Sequence, residues 1–316
     1  KIMIKALFIS SGNSKSGISP IIKRQGESLN KQGVDLHYYT IKGKRFSGYL
    51  SNVSKLKKYI KQHQFNVIHA HYSLSAIAAS LAGAKPLVVS LMGSDVKAKK
   101  WFRLFIWFFY KFFWRFTIVK SEDMKKSLRF QNLLVIPNGV DTEIFTPKNQ
   151  TTCQNQLNWD KNKSHLLFAA NSDRLVKNYE LTQKAINKIG NQNTELHYLQ
   201  NISHDDIPVY MNAADVIILT SVWEGSPNVI KEAMACNRPI VATNVGDIEW
   251  LFGDKKGHYL TSFEPEDVAQ KITKALQFSE TKKQTSGRKR LMALQLDSET
   301  ITRKIIEVYQ KVIGNK

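Results

Sequence analysis

Short apolar runs alternate with helical segments along almost the whole chain. The runs 66–71, 216–220 and 239–244 are rich in apolar and β-branched residues and are bounded by polar or turn-forming residues, which is typical of buried strands. Strands that are apolar throughout and that alternate with helices form parallel sheets covered by helices on both faces. The sequence therefore predicts an α/β fold built from parallel sheets.

The length of the chain indicates two such sheets. A chain of 316 residues is long for one hydrophobic core and suits two domains. The turn-forming segment 137–139 marks the predicted exit from the first domain. We predict domains over residues 1–147 and 148–297, with the polar stretch 151–164 as an irregular continuation of the linker. Residues 298–316 carry apolar side chains at helical spacing, which predicts a final amphipathic helix.

The segment after the run 216–220 holds the densest set of candidate binding residues. Ser226 and Pro227 are typical of the N-cap and the first position of a helix, so we predict a tight loop and a helix that begins at Pro227. The free amides at such a helix start favour a phosphate group. Glu224 in the loop and Glu232 in the second turn can accept hydrogen bonds from hydroxyl groups of the same ligand. A nucleotide sugar fits this combination, whereas the alternative is two solvated carboxylates.

Arg174 and Lys177 form a second candidate site in the same domain. They lie three residues apart, where the predicted strand 165–170 passes into a helix. A guanidinium group binds phosphate oxygens in a bidentate manner and an ammonium group acts as a point charge, so the pair can hold one diphosphate. Each residue alone would be ordinary surface charge.

Polar side chains also end two neighbouring strands of the first predicted domain. His71 closes the run 66–71, and Asp95 follows the next predicted strand, 86–92. Ligands of parallel sheets bind beyond the carboxyl ends of the strands, so we expect both residues to face a ligand. His69 and His71 lie on the same face of their strand, which raises the question of a metal site. No third metal-binding residue lies close in the sequence, so we expect no metal; histidines packed in the core are the alternative.

The formal net charge of +20 is concentrated in the first half of the chain. Residues 1–147 contain 24 Lys and Arg against 7 Asp and Glu, a balance of +17, and the rest of the chain carries only +3. Such an uneven charge indicates an anionic partner for the first domain, such as nucleic acid, anionic lipid or a phosphorylated acceptor. A solvated basic surface without a partner is the alternative.

The segment 97–116 combines this charge with aromatic residues. As a helix it places its basic residues on about a third of its circumference and aromatic side chains over the rest. Its apolar part is about 24 Å long, shorter than the ~30 Å hydrocarbon core, so it would lie on a membrane rather than cross it. We favour binding to an anionic membrane surface through 97–116. Stacking on single-stranded nucleic acid and packing in the core are the alternatives.

Cysteine usage and the first residues indicate the compartment. Cys153 and Cys236 are far apart and lack metal-ligand spacing, which is typical of a reducing environment without disulfides. The apolar run 1–10 is too short for a signal peptide and predicts a first strand. We therefore expect a cytoplasmic protein that is peripheral on the inner face of the plasma membrane, and we expect no nucleic-acid partner.

Three segments, 137–141, 174–178 and 224–232, together resemble the retaining glycosyltransferases of the GT-B fold, and glycosyltransferase family 4 in particular. In that family a glutamate, seven residues and a second glutamate recur, as Glu224 and Glu232 do here. The resemblance implies two Rossmann-like domains that face a central cleft, with a C-terminal helix that crosses back to the first domain.

The resemblance also implies an activity. It implies transfer of a hexose-type sugar from a nucleoside-diphosphate sugar to a glycan acceptor, with retention of configuration and without a metal or another cofactor. Together with the charge and the aromatic helix of the first domain, it indicates a lipid-linked acceptor and a role in bacterial surface-polysaccharide synthesis, for example of a capsule. A nucleotide-sugar epimerase of the same fold and a non-catalytic membrane- or nucleic-acid-binding protein are the alternatives.

The resemblance assigns roles to individual residues. Around the reacting sugar it places His71, Glu224 and Asp95. No Asp-x-Asp pair is placed to hold a divalent ion, in agreement with a metal-independent reaction. The residues that the resemblance assigns to donor binding are Arg174, Lys177, Glu232, Gly225, Ser226, Asn228, Gly17 and Asn138.

Overall fold

The computed structural model describes residues 3–14, 17–43, 45–96, 99–191, 193–282 and 284–314. The chain forms two compact units: the first comprises the residues up to 139 and those from 298 onward, and the second comprises 140–297. Each unit is built on one sheet of parallel strands with helices packed against it. The predicted α/β fold with two parallel sheets is confirmed.

Six parallel strands form the sheet of the first unit. In chain order, β1 to β6 are Lys5–Ser11, Asp35–Ile41, Val67–His71, Leu87–Ser90, Phe116–Val119 and Leu133–Val135. Their order across the sheet is β2-β1-β3-β4-β5-β6. Both β3 and β4 are buried along their whole length, as expected for strands that helices cover on both faces. The helices α1 to α7 of this unit are Pro20–Lys31, Arg45–Leu50, Val53–His63, Ser73–Leu81, Gly93–Val96, Lys100–Phe113 and Glu122–Leu128.

Five parallel strands form the sheet of the second unit. The strands β7 to β11 are Ser164–Phe168, Thr194–Tyr198, Val216–Leu219, Ile240–Thr243 and His258–Thr261, and their order is β11-β10-β9-β7-β8. A single 3₁₀ turn, Leu175–Lys177, follows β7. The helices α8 to α14 are Gln150–Leu157, Tyr179–Ile189, Ile207–Ala213, Asn228–Ala235, Ile248–Phe252, Pro265–Lys282 and Gly287–Ala293.

The helix α8 lies where the sequence predicted an irregular linker, so that prediction was wrong. The side chain of Asn149 accepts a hydrogen bond from the backbone N–H of Thr152 at 3.0 Å and caps the start of the helix. Cys153 packs against Val209 and Ala213. The helix is short and mostly polar, with only a narrow apolar contact, and it therefore lacks the periodic pattern from which helices are predicted.

The last helix, α15, spans Ser298–Gly314 and belongs to the first unit. It packs against α1 and β3. The hydroxyl of Tyr309 lies 2.7 Å from Nδ1 of His69, and Nε2 of His69 lies 2.9 Å from Oγ of Ser90. All three side chains are fully buried, so this chain of hydrogen bonds fixes the helix to two neighbouring strands and satisfies polar groups that have no access to water. His69 is therefore a core residue, which is the alternative that the sequence left open for it.

None of the helices in the described residues is both long and apolar enough to cross a membrane.

Candidate functional site

The order of the strands in the second unit defines a crevice. The first strand in chain order, β7, lies between β8 and β9, so the chain winds away from β7 in opposite directions. Parallel sheets bind their ligands at such a point, beyond the carboxyl ends of the two strands. The loops that leave β7 and β9 carry Lys177 and Glu224 respectively. Two residues predicted from separate sequence motifs therefore meet at this edge of the sheet.

Hydrogen bonds join these two loops. The backbone N–H of Val222 donates to the carbonyl oxygen of Val176 at 2.9 Å. The hydroxyl of Thr220 donates to the carbonyl oxygen of Asn178, also at 2.9 Å. Asn178 has a left-handed backbone conformation with φ of 53°, which Asn tolerates better than most residues. One backbone bond and one bond from a side-chain hydroxyl thus hold the two loops together.

Lys177 and Glu224 form an ion pair between the two loops. The ammonium nitrogen of Lys177 lies 2.5 Å from Oε1 of Glu224, and the hydroxyl of Ser221 donates to the same oxygen at 2.6 Å. Only 11% of the lysine side chain and 13% of the glutamate side chain are exposed. The resemblance assigned the lysine to the diphosphate and the glutamate to the sugar. In the structure the two groups contact each other directly, and Ser221 completes the cluster without having been predicted.

Arg174 lies at the rim of this cluster. Its carbonyl oxygen accepts a hydrogen bond from the backbone N–H of Lys177 at 2.8 Å, which closes the 3₁₀ turn. Its side chain is exposed and, among the residues that the structure describes, forms no ion pair. The backbone therefore brings Arg174 and Lys177 together as predicted, but only Lys177 is buried in the cluster.

A third loop, after β10, packs against the loop that carries Glu224. Gly246 has φ of +63°, and a Cβ atom at this position would lie 2.7 Å from the carbonyl oxygen of Glu224 and 2.8 Å from that of Gly225. Those distances are too short for any side chain, so glycine is required here. Gly246 consequently supports the backbone of the Glu224 loop.

The helix α11 begins one residue later than the sequence predicted. Pro227 occupies the N-cap position with an extended ψ of 116°, and the first helical residue is Asn228. Proline adopts its usual φ in either position, which is why the motif did not fix the boundary. Oγ of Ser226 and Oδ1 of Asn228 are buried, and neither has a hydrogen-bond partner among the described residues. Buried polar atoms without partners are rare in proteins and indicate a place where a ligand supplies them.

Glu232 lies in the second turn of α11, as predicted, and its side chain is 9% exposed. Its Oε1 lies 3.5 Å from Nε2 of His204, a contact that the sequence did not suggest. The preceding residue, Lys231, is fully buried. Burial lowers the pKa of the Lys231 ammonium to about 8, while the carboxylates of Asp247 and Glu232 oppose this shift. Charged groups of α11 and of the loop after β10 are therefore concentrated in the first two turns of this helix.

His71 lies at the carboxyl end of β3 in the first unit, and β1 and β3 are the strands where that sheet reverses its winding. Its ring packs on His69 at a centroid distance of 4.3 Å and on Phe8 at 4.4 Å. Both ring nitrogens are buried without a hydrogen-bond partner among the described residues. Burial, assisted by the charge of Lys120, lowers the pKa of His71 to about 3, so the ring is neutral at neutral pH.

Asp95 lies in the short helix α5, directly after β4, and is fully buried. One carboxylate oxygen accepts a hydrogen bond from the backbone N–H of Met92 at 2.6 Å, and the other accepts one from Ser73 at 3.2 Å. Both oxygens thus bind backbone groups at the ends of neighbouring strands. The geometry makes Asp95 a positioning residue for the loop after β3, which follows His71.

Two further residues of the predicted donor site lie at the margins of the first unit. Gly17 has φ of +74°, and its backbone N–H donates to the carbonyl oxygen of Ser14 at 3.0 Å. Asn138 is partly buried and lies next to residue 139, where the first unit ends. Neither position contradicts the assigned role.

The burial of Asp95 predicts a pH dependence of stability. Burial raises the pKa of this carboxyl from 3.8 to about 6, although the backbone hydrogen bonds counteract the shift. The folded protein then holds a proton that the unfolded chain releases, so the stabilisation is complete below pH 4 and is lost as the pH rises through 6. Between pH 4 and 7 we expect the wild type to lose about 3 kcal/mol relative to Asp95→Asn, measured by urea unfolding at several pH values.

Asp267 provides a control of the opposite sign. Its carboxylate is a third exposed and accepts a hydrogen bond from the backbone N–H of Ser262 at 2.7 Å, which lowers its pKa. Relative to Asp267→Asn, the wild type should therefore gain stability as the pH rises through the acidic range. A difference between wild type and Asp95→Asn that does not vary with pH would contradict the assignment.

Family models match both halves of the chain. Residues 21–144 match the model described as Glycosyltransferase Family 4, and residues 155–277 match the model described as Glycosyl transferases group 1. The two matches include the strands β2 to β11 and the cluster around Lys177 and Glu224. The resemblance inferred from the sequence is confirmed.

Curated relatives are about a quarter identical to the chain over the aligned residues. A UDP-Gal:alpha-D-GlcNAc-diphosphoundecaprenol alpha-1,3-galactosyltransferase of Escherichia coli is 25% identical over 244 residues, 62% of this chain and 62% of that protein. A putative teichuronic acid biosynthesis glycosyltransferase of Bacillus subtilis is 24% identical over 255 residues, 70% of this chain and 64% of that protein. The chain thus spans less than two thirds of the length of these relatives.

Solved structures share the fold. A sucrose-phosphate synthase from Thermosynechococcus elongatus superposes with a TM-score of 0.83 at 18% identity, covering 99% of this chain and 100% of the other. The Anabaena protein HepE in complex with UDP-glucose superposes with a TM-score of 0.77 at 18% identity, covering 98% of this chain and 100% of the other. At these identities the similarity supports the fold alone. From the two family matches, the chain belongs to the GT-B glycosyltransferases, with a family 4 domain followed by a group 1 domain.

Proposed function

We propose that the chain is a retaining, metal-independent glycosyltransferase. It transfers a hexose-type sugar from a nucleoside-diphosphate sugar to a lipid-linked glycan acceptor in surface-polysaccharide synthesis. The observation that carries the proposal is the cluster at the carboxyl edge of the second sheet. A buried ion pair, Lys177–Glu224, lies on loops joined to the start of α11, where Ser226 and Asn228 have unsatisfied polar atoms. A diphosphate and a sugar hydroxyl together would satisfy these groups.

Donor binding exchanges the partners of the ion pair. The diphosphate oxygens bind the ammonium of Lys177, the amides at the start of α11 and the exposed guanidinium of Arg174. Glu224 is then released to accept a hydrogen bond from a hydroxyl of the donor sugar, while Glu232 binds the ribose. His71 is neutral, and its ring nitrogens have no hydrogen-bond partner among the described residues, so it offers a hydrogen bond to the sugar without adding charge.

The reaction needs no protein nucleophile. The oxygen of the acceptor hydroxyl forms a bond to the anomeric carbon on the face from which the diphosphate departs, while the bond from that carbon to the diphosphate oxygen breaks. The acceptor proton moves to the departing phosphate oxygen. Negative charge grows on the diphosphate during this step, and Lys177 and the helix amides stabilise it. No residue is required to hold a metal at the diphosphate.

The names of two relatives support a lipid-linked acceptor. The Escherichia coli relative is named for a diphosphoundecaprenol-linked acceptor. An N,N'-diacetylbacillosaminyl-diphospho-undecaprenol alpha-1,3-N-acetylgalactosaminyltransferase of Campylobacter jejuni is 27% identical over 121 residues, 38% of this chain and 32% of that protein. A polyprenyl acceptor is held in a membrane, so an enzyme that uses it has to work at the membrane surface.

The helix α6 is suited to that surface. Ile106 and Phe109 pack into the core of the first unit, but Trp101, Leu104 and Phe112 are each more than 60% exposed. Packing in the core therefore explains only part of its aromatic content. A groove of about 870 Å³ between α6 and α7 combines apolar side chains with four cations, Lys100, Arg103, Lys126 and Arg129. We propose that this face, within the segment 97–116, binds the anionic inner leaflet as a peripheral anchor. Lys97 and Ala98 lie outside the described residues.

A donor panel and an acceptor assay test the proposed activity. Thermal shift with UDP, GDP and ADP sugars identifies the donor, since a ligand that binds only the folded state raises the unfolding temperature. With that donor and a polyprenyl-diphosphate-linked glycan, a transferase releases nucleoside diphosphate only when the acceptor is present. Conversion of the donor sugar without acceptor indicates an epimerase instead, and a protein that releases no nucleotide is a binder alone.

We expect Lys177→Met and Glu224→Gln each to lower kcat/KM about 100-fold or more, because each removes a group that contacts the reacting donor. Steady-state kinetics of nucleotide release measure the effect. Lys184→Met is the matched control, because Lys184 is exposed and its ion pair with Glu180 lies on the surface of α9. Rates that fall equally in all three variants would mean that the cluster has no special role in the reaction.

Membrane binding is tested separately from catalysis. Removing two exposed aromatic side chains with Trp101→Ala and Phe112→Ala should weaken binding to phosphatidylglycerol vesicles at least about tenfold, because each buries apolar surface worth about 1.5–3 kcal/mol. Vesicle sedimentation measures the binding, and added salt should reduce it. Trp250→Ala is the control, since Trp250 is 48% exposed in the second unit. Unchanged binding by the double variant would rule out α6 as the anchor.

A further inference from the structure

Three metal-binding side chains converge on the second sheet, away from the donor edge. His165 is the second residue of β7, and Glu195 and His197 lie on the edge strand β8. In the register of these parallel strands His165 pairs with Glu195. Glu195 and His197 are two residues apart, so their side chains share one face of the sheet with His165. Their spacing along the chain does not connect them, because the helix α9 separates His165 from the other two.

The distances between the three ligand atoms suit a transition-metal ion. Nδ1 of His165 lies 3.0 Å from Nε2 of His197, and Oε2 of Glu195 lies 3.7 Å and 3.9 Å from these two nitrogens. The point equidistant from three atoms at those separations lies about 2.1 Å from each of them. Zinc binds imidazole nitrogen at about 2.0–2.1 Å and carboxylate oxygen at about 2.0–2.2 Å.

Neighbouring groups occupy the other polar atoms of His165 and Glu195 and leave one ligand atom of each for an ion. Nε2 of His165 lies 2.8 Å from the carbonyl oxygen of Asp160, which can only accept, so the neutral ring carries its proton there and presents a lone pair at Nδ1. Oε1 of Glu195 binds the ammonium of Lys163 at 2.6 Å, which leaves Oε2 for the site. Hydrogen bonds of both kinds are typical of the groups that support metal ligands.

The position of the site allows an ion to reach it. His165 is fully buried, whereas the side chains of Glu195 and His197 are 35% and 21% exposed. The ring of His197 stacks on Trp159 at a centroid distance of 3.6 Å, which fixes its orientation. His197 would bind an ion in the tautomer that carries its proton on Nδ1.

We propose that His165, Glu195 and His197 bind one divalent ion of the zinc class, with water in the remaining position. Two imidazoles and one carboxylate form a ligand set of borderline softness, which suits Zn²⁺ and also Co²⁺ or Ni²⁺ rather than Mg²⁺ or Ca²⁺. The ion would join β8 to β7 at the edge of the sheet. This site is independent of the metal-free transfer reaction proposed above, since its ligands lie within β7 and β8 and not on the loops beyond the carboxyl ends of β7 and β9.

Titration of the full chain with Co²⁺ after removal of metals by a chelator tests the proposal. We expect the visible absorption of four- or five-coordinate Co²⁺ to saturate at one ion per chain, and Zn²⁺ to abolish it. Co²⁺ should also quench the fluorescence of Trp159, so that Trp159→Phe loses most of the quenching. Glu195→Gln and His197→Gln should each weaken the binding by at least about 10–100-fold. Glu195→Gln retains a hydrogen-bonding partner for Lys163, so this variant is expected to fold.

The other sheet supplies a matched control. Asp35, Leu36 and His37 form an acid-Leu-His sequence on the edge strand β2, just as Glu195, Leu196 and His197 do on β8. Within the described part of the chain, only the β8 sequence gains a third ligand. His37→Gln should therefore leave Co²⁺ binding unchanged. Failure of the wild type to bind Co²⁺ or Zn²⁺, or binding that survives both β8 variants, would overturn the proposal.

Discussion

The ion pair between Lys177 and Glu224 is the interaction on which the second unit's site depends. Removing two charges from water costs several kcal/mol, and the attraction between them offsets this cost only when the geometry is good and further hydrogen bonds are made. Here Ser221 supplies the further bond, and the hydrogen bonds of Val222 and Thr220 between the loops after β7 and β9 fix the geometry. The two charges lie on separate loops at the point where the sheet reverses its winding. A buried ion pair in this position contributes little to stability after its desolvation cost. Its position suits a lysine that leaves the glutamate to bind an anionic ligand.

Unsatisfied polar atoms are found in both units. Nδ1 and Nε2 of His71, Oγ of Ser226 and Oδ1 of Asn228 are buried without partners among the described residues. Each such atom costs about 1–3 kcal/mol if nothing binds it. His71 is the last residue of β3, and Ser226 and Asn228 belong to the loop and helix start that follow β9, so all three lie on the side of the sheets where parallel strands bind ligands. Proteins tolerate local violations of this kind chiefly at functional sites, so the residues that destabilise the fold are also the best candidates for contact with substrate.

The sequence predicted the architecture of the sheets more completely than it predicted the contacts between side chains. Alternating apolar strands and helices were enough to predict two parallel sheets, because that pattern has few other solutions. The same reasoning missed α8, whose formation depends on the Asn149 cap and on packing against residues far away in the sequence. It placed the start of α11 one residue early, because Pro227 fits either position. The motifs named Lys177 and Glu224 but not their contact, since spacing along a chain carries no information on how two loops meet. The triad on β7 and β8 was missed for the same reason.

The proposed donor site requires that the ammonium of Lys177 leave Glu224 and bind a diphosphate, and that this diphosphate lie at the start of α11. A crystal structure of the chain with a nucleoside diphosphate tests it most directly. We expect phosphate oxygens within hydrogen-bonding distance of Nζ of Lys177 and Oγ of Ser226, with the lysine moved away from Glu224. A diphosphate bound elsewhere, with the 2.5 Å pair still intact, would contradict it.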